Sequence, residues 1–412
     1  MKKLFLMLAC SSLSFSFLNA QESLVKEVEK EIETTKDYAA MRAKLAPALS
    51  EETSKNNAQT WFVAAKLELK EFDDLWKKKM LSQPVDMGVL GNALLSSYDY
   101  LVKALPLDSV PEVDKKTGEP KVDKKTGKTK IKTKYSKKIV DLLAENYNPL
   151  NIVASELYGE KKYDKAIKAW EYCATMPSMP CLDGKIPQLA DTVVGELRFY
   201  QGIAMWQDKN PNDAVEAFDK ARKLGYTKKE AYDYALNCAA QSNQTDKIAE
   251  IAEEAMPLYG KQDSQYVRIL INYYLNNKDF AKANIILDKA ISDDPQNAEF
   301  VNLKGNLVEN QSSIEEALPY FKKAVELDPN SSKAHFDLGR YYFNKAVKIR
   351  DEKTDLAGDE LAKLTDPLYE QALPYLERAY ELDKENYDAK NALRAIYYQL
   401  GNEEKLNAIE NQ

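Results

Sequence analysis

Small and large apolar residues recur along this chain at helical spacing, in blocks of fixed length. Ala283, Leu287 and Ala290 are followed by Pro295, and Ala317, Phe321 and Ala324 are followed by Pro329, each position 34 residues on. Residues three and four apart share one face of a helix, so each block predicts an amphipathic helix. The closing proline cannot continue the hydrogen-bond ladder and ends it. A further helix is predicted ahead of each block, around Ile271 and Tyr274 and around Gly305 and Val308. Weaker copies pair Gly202 and Met205 with Ala214, Phe218 and Ala221, and Gly339 and Tyr342 with Ala372, Leu376 and Ala379. Ala or Gly at these places lets two helices approach to about 8–10 Å. The large residues then fill the space to the next pair.

Followed along the chain, the second helices start near Ala166, Ala214, Ile248, Ala283, Ala317 and Ala372, with steps of 48, 34, 35, 34 and 55 residues. A truncated unit at Leu393, Tyr397, Gly401 and Leu406 reads as a cap. The spacing predicts an array of about six repeats over 135–412, with an insertion near 349–367 that extends a first helix and adds a loop. Residues 21–108 read as a degenerate version: Ala40, Ala43 and Ala46, then Trp61, Ala64 and Ala65, then Ser97, Leu101 and Ala104. Pro84, Gly88 and Gly91 interrupt it.

Residues 109–134 break the pattern. Val113-Asp-Lys-Lys-Thr-Gly118 is nearly repeated by Val122-Asp-Lys-Lys-Thr-Gly127, with almost nothing apolar to bury. Asp-Lys-Lys-Thr-Gly is a turn signal, so an exposed loop or a short β ribbon is predicted. Eleven lysines face four acids between Glu112 and Lys138. A solvated insertion and an electrostatic contact with an anionic surface both fit that excess.

The 34-residue block resembles the tetratricopeptide repeat family, whose unit is a helix–turn–helix of that length. The resemblance implies an all-α, right-handed superhelical solenoid whose first helices line a concave groove. It also implies a scaffold that binds a protein or peptide and brings no catalytic group of its own. In that register Asn237, Asn272 and Asn306 occupy one place in successive first helices, and Arg340 takes it in the next. One turn away lie Arg268, Asn276, Asn302, Asn310 and Asn344, with Phe343 beside them. Amides donate and accept, so this set resembles the asparagine ladders of helical-repeat peptide binders. Arg268, Asn272, Asn302 and Arg340 are also similar, in part, to the carboxylate clamp of chaperone-tail binders, with Phe336 where a second cation is usual. Asn tolerated on a solvated face explains the same series without a ligand. A glycan or cell-wall binding module is the alternative function.

The amino terminus adds a compartment. Lys2 and Lys3 precede an apolar and serine stretch from Leu4 to Leu18, and Ala20 precedes Gln21. This predicts a secretory signal peptide over 1–20. The periplasm of a Gram-negative bacterium follows, as for similar exported repeat proteins of the Bacteroides group. A lipoprotein anchored through Cys10, or a secreted protein, is the alternative. Nothing else predicts a membrane span. The formal charge of −7 grows more negative without the leader's lysines, which argues against nucleic-acid binding. Of the remaining cysteines, Cys173 and Cys181 flank a Pro-bounded loop and either form a disulfide or stay reduced. No spacing suggests a metal or cofactor site, the single His335 is expected to pack inward, and no enzyme motif is present.

Overall fold

The computed structural model describes residues 21–410 apart from 115, 125, 312 and 313. The signal peptide expected over 1–20, with Cys10, lies outside the described residues. The fold is all-α save for one two-stranded ribbon. Contacts divide it into two compact units, the first ending at Asn243 and the second running from Gln244.

The first unit opens with α1 (21–31). It continues through α2 (Tyr38–Ser50), α3 (Ala58–Met80) and α4 (Met87–Leu107) to strands β1 (Val110–Pro111) and β2 (Ile131–Lys132). Then come α5 (Ser136–Glu145), α6 (Pro149–Gly159), α7 (Tyr163–Thr175), α8 (Asp191–Gln207), α9 (Pro211–Lys223) and α10 (Lys229–Gln241). The second unit holds α11 (Thr245–Tyr259), α12 (Gln265–Asn276), α13 (Phe280–Asp293), α14 (Ala298–Gln311) and α15 (Ile314–Leu327). It ends with α16 (Ser332–Glu352), α17 (Gly358–Leu382), α18 (Tyr387–Gln399) and α19 (Glu403–Glu410). The division falls between α10 and α11, which the sequence reads as one repeat. The extra length near 349–367 goes mostly into helix, because α16 runs to Glu352 and α17 already starts at Gly358.

The small-to-large pairing holds the hairpins together. A methyl group added to Gly202 would stand 2.6 Å from the Phe218 ring, and one on Gly305 would stand 2.7 Å from the Phe321 ring. Gly339 meets Leu376 in the same way, at 2.6 Å. Phe218, Phe321 and Leu376 are fully buried. Only a missing Cβ allows contacts this close.

The turns inside the hairpins share one device that composition does not announce. Lys161, Lys209, Asn243, Lys278 and Gly401 all have positive φ, between 55° and 65°. In four of them the next amide reaches back to the helix: Lys162 N to Leu157 O, Asn210 N to Met205 O, Asp279 N to Tyr274 O and Asn402 N to Tyr397 O, at 2.8–2.9 Å. This is the Schellman closure, which satisfies the last carbonyls of the first helix. The second helix then begins at once, with Asn210, Asp279 and Asn402 capping α9, α13 and α19 through their side chains.

The lysine-rich insertion is a three-way junction. Glu112 N donates to Lys130 O, Lys130 N to Lys121 O and Lys121 N to Glu112 O, each at 2.7 Å, closing a ring of three hydrogen bonds. β1 and β2 form the stem, with Val110 opposite Lys132 and Pro111 opposite Ile131. Two leaves emerge, one closed by Gly118 N donating to Asp114 O and the other by Gly127 N donating to Asp123 O, with Val113 opposite Pro120 and Val122 opposite Thr129. Gly118 and Gly127 sit at φ +74° and +68°, where a side chain would be strained. Asp108 ties the stem down. Its carboxylate accepts the amides of Lys134, Tyr135 and Ser136 and the Ser136 hydroxyl, at 2.6–3.1 Å, and so caps α5 from the far side of the insertion.

Candidate functional site

Within the second unit, the facing sides of α14 and α16 carry a buried polar network. Asp337 is 5% exposed. Asn302 Nδ2 and Asn306 Nδ2 donate to its Oδ2 at 2.5 and 3.0 Å. Turning the Asn302 amide over would set its carbonyl against the carboxylate, so the orientation is fixed. Arg340 donates to Asp337 Oδ1 through Nε and Nη2, both at 3.3 Å. It also forks onto Glu309, Nη1 to Oε1 at 3.1 Å and Nη2 to Oε2 at 2.7 Å, and Nη2 reaches Asn306 Oδ1 at 2.8 Å. Burial works against the Arg340 charge, but the carboxylates of Glu309 and Asp337 outweigh it and hold the guanidinium above its ordinary pKa. A charge this enclosed persists only with such partners.

The other residues singled out by the sequence divide into two groups. Arg268 is paired: its Nη1 donates to Glu299 at 3.0 Å, and Ser264 Oγ donates to the same carboxylate at 2.5 Å, tying α12 to α14. Asn310 donates to Asn306 O, one turn back on its own helix, at 2.9 Å. Phe343 is half-buried, its ring 5.8 Å from Tyr369. By contrast Asn272 and Asn276 are exposed and Asn344 is half-buried, with no hydrogen-bond partner among the described residues. Asn237 belongs to the first unit. There it accepts from Gln241 Nε2 at 2.6 Å, and Gln241 Oε1 accepts from Trp206 Nε1 of the preceding first helix at 3.3 Å.

The structure therefore brings Asn302, Asn306 and Arg340 together and commits most of their polar atoms to internal partners. Sequence reasoning missed Asp337, Glu309 and Glu299. Asp337 left one readable signal: it stands where the preceding repeat has Leu303, an acid in an apolar register position. Cys173 and Cys181 are free thiols, the first buried and the second half-buried. Burial pushes the Cys173 thiol up to about 12. His335 is buried, with Nε2 3.0 Å from Pro329 O. No helix among the described residues is long and apolar enough to cross a membrane.

Family models match part of this array of helical hairpins. Residues 270–332 and 320–355 match models described as tetratricopeptide repeat. The residues of the α14–α16 network lie within these two matched stretches. A comparison with curated proteins by sequence gave no match. Among solved structures, the chain is similar to YrrB, titled a TPR protein with an unusual peptide-binding site, at 19% identity over 50% of this chain and 97% of that one, with a TM-score of 0.33. It is similar to TTC0263, a thermophilic TPR protein of Thermus thermophilus, at 13% identity over 50% and 98%, with a TM-score of 0.32. It is also similar to an IFIT1 monomeric mutant with Gppp-AAAA, at 13% identity over 93% and 77%, with a TM-score of 0.38.

Proposed function

We propose that this protein is a non-catalytic scaffold of the cell envelope, and that the first-helix face of its second unit holds an extended peptide segment. The observation that carries the reading is the contrast along that face. Asn302, Asn306, Arg340, Asp337 and Glu309 are locked into a rigid seam. Asn272, Asn276 and Asn344 keep both donor and acceptor unused on the same register. A fixed seam between free amides suits a ligand whose backbone alternates N–H and C=O groups, because little ordering remains to be done on binding. The envelope location rests on the secretory leader that the sequence predicts over 1–20.

A photo-crosslinking residue at position 276, used in cells and followed by mass spectrometry, identifies what lies on this face. The triple variant N272A/N276A/N344A should then lose that same partner in co-purification while its circular dichroism is unchanged. Retention of the partner by the folded triple variant refutes the face as the contact.

A further inference from the structure

The three-way junction has a use that the groove does not explain. Besides its threonines it presents mainly lysines and aliphatic side chains. Val110, Val113, Val122 and Ile131 are 50–58% exposed, although β-branched residues ordinarily pack inward. Val113, Val122 and Ile131 repeat every nine residues, matching the ring of hydrogen bonds. Val110, Val113 and Ile131 line one shallow concavity with Lys116 and Lys132. Lys116, Lys124, Lys128, Lys130 and Lys132 are exposed, with no ion-pair partner among the described residues.

The acids of the segment are mostly used internally. Glu112 pairs with Lys121 at 2.7 Å. Asp114 accepts the Lys116 and Thr117 amides of its own turn, and Asp123 accepts from Thr126. Apart from Glu119 and four threonines, the exposed side chains are cationic or aliphatic, with a clear excess of positive charge.

The composition chooses the partner. Protein interfaces favour Arg and aromatic rings and are poor in Lys. Single-stranded nucleic acid wants rings to stack on. Residues 109–134 contain neither Arg nor any aromatic residue. Lysine is a compact charge on a flexible stem and needs no fixed pairing geometry. Aliphatic side chains beside it enter the boundary between headgroup and acyl chain. We propose that the insertion docks the protein on a bilayer surface carrying anionic phospholipid. Val110, Val113, Val122 and Ile131 enter the headgroup layer, and the unpaired lysines lie against the phosphates. The hydrogen-bonded ring and the Asp108 cap hold these groups in place before contact, so docking orders little chain. This contact is independent of the peptide face.

Cosedimentation of the full chain with vesicles tests it. The protein should pellet with phosphatidylcholine vesicles containing phosphatidylglycerol, should not pellet with phosphatidylcholine alone, and should be released by added salt. K116Q/K124Q/K132Q should weaken the binding by about tenfold or more. V113S/V122S/I131S keeps every charge and should weaken it several-fold. All six side chains are exposed, so circular dichroism should stay unchanged in both variants. Equal binding to the two vesicle types, or no loss in either triple variant, overturns the proposal. So does retention on heparin or DNA by a protein that ignores both vesicle types.

Discussion

Asn306 and Arg340 occupy the same place in successive repeats, and they are hydrogen-bonded to each other, Arg340 Nη2 to Asn306 Oδ1 at 2.8 Å. A register that looks like a row of independent ligand groups is thus, at this step, a seam between neighbours. Arg340→Met should leave Asp337 enclosed with only two amides for company. The expected cost is about 2–4 kcal/mol in urea unfolding. An N306A/R340A double-mutant cycle should show a coupling of about 0.5–3 kcal/mol. Additive single effects would mean that the contact is passive.

Gly305→Ala drives a methyl group into the Phe321 ring. The hairpin α14–α15 must spread or Phe321 must leave its rotamer, so a loss of about 1–3 kcal/mol is expected by thermal melting. The smaller, ringless side chain in G305A/F321L should recover part of it.

Lys209 has φ +61° and stands in the turn between α8 and α9. Lysine pays a steric penalty there that glycine does not, of about 1–2 kcal/mol. Glycine also gives the unfolded chain more freedom, which offsets part of the gain. Lys209→Gly should therefore stabilise the protein by about 0.5–1 kcal/mol, read as a higher denaturation midpoint.

Asp108 is buried, which alone would raise its carboxyl pKa. The Ser136 hydroxyl and the amides of Lys134, Tyr135 and Ser136 outweigh burial and lower it. A lowered folded-state value contributes stability that is present above the unfolded pKa of about 4 and is lost as pH falls through the folded value. Asp108→Ala should remove this acid sensitivity. It should also cost about 1–2 kcal/mol and speed hydrogen exchange at those three amides.

Burial pushes the Cys238 thiol up to about 11 and the Cys173 thiol to about 12, while Cys181 is only half-buried. Thiolate is the reactive form. Iodoacetamide should modify Cys181 first in the native protein, and the other two only on unfolding. Peptide mapping by mass spectrometry decides it, and a native protein in which Cys181 resists alkylation but yields to reductant would point to a disulfide instead.

Much of the helical framework was legible because sterics leave few options. A recurring Ala or Gly four residues from a large side chain can do little except seat two helices against each other. The seam was half legible. Asparagine at a fixed register is conspicuous, whereas Asp337 and Glu309 are two acids among 65 acidic residues, and most acids on a helical repeat serve only its solvated face. The αL lysines were invisible, since lysine carries no turn signal and tertiary packing imposes that conformation. The hydrogen-bonded ring at 112, 121 and 130 was also out of reach, because the nine-residue repeat fixes turns but not which backbone groups meet.

One carboxylate and one two-residue ladder gather both ends of the insertion, so it hangs from a narrow base. Such a segment behaves as a cassette. It can be shortened, exchanged or transplanted to another helical array with the helix beneath it undisturbed, provided the acid at its base travels with the graft.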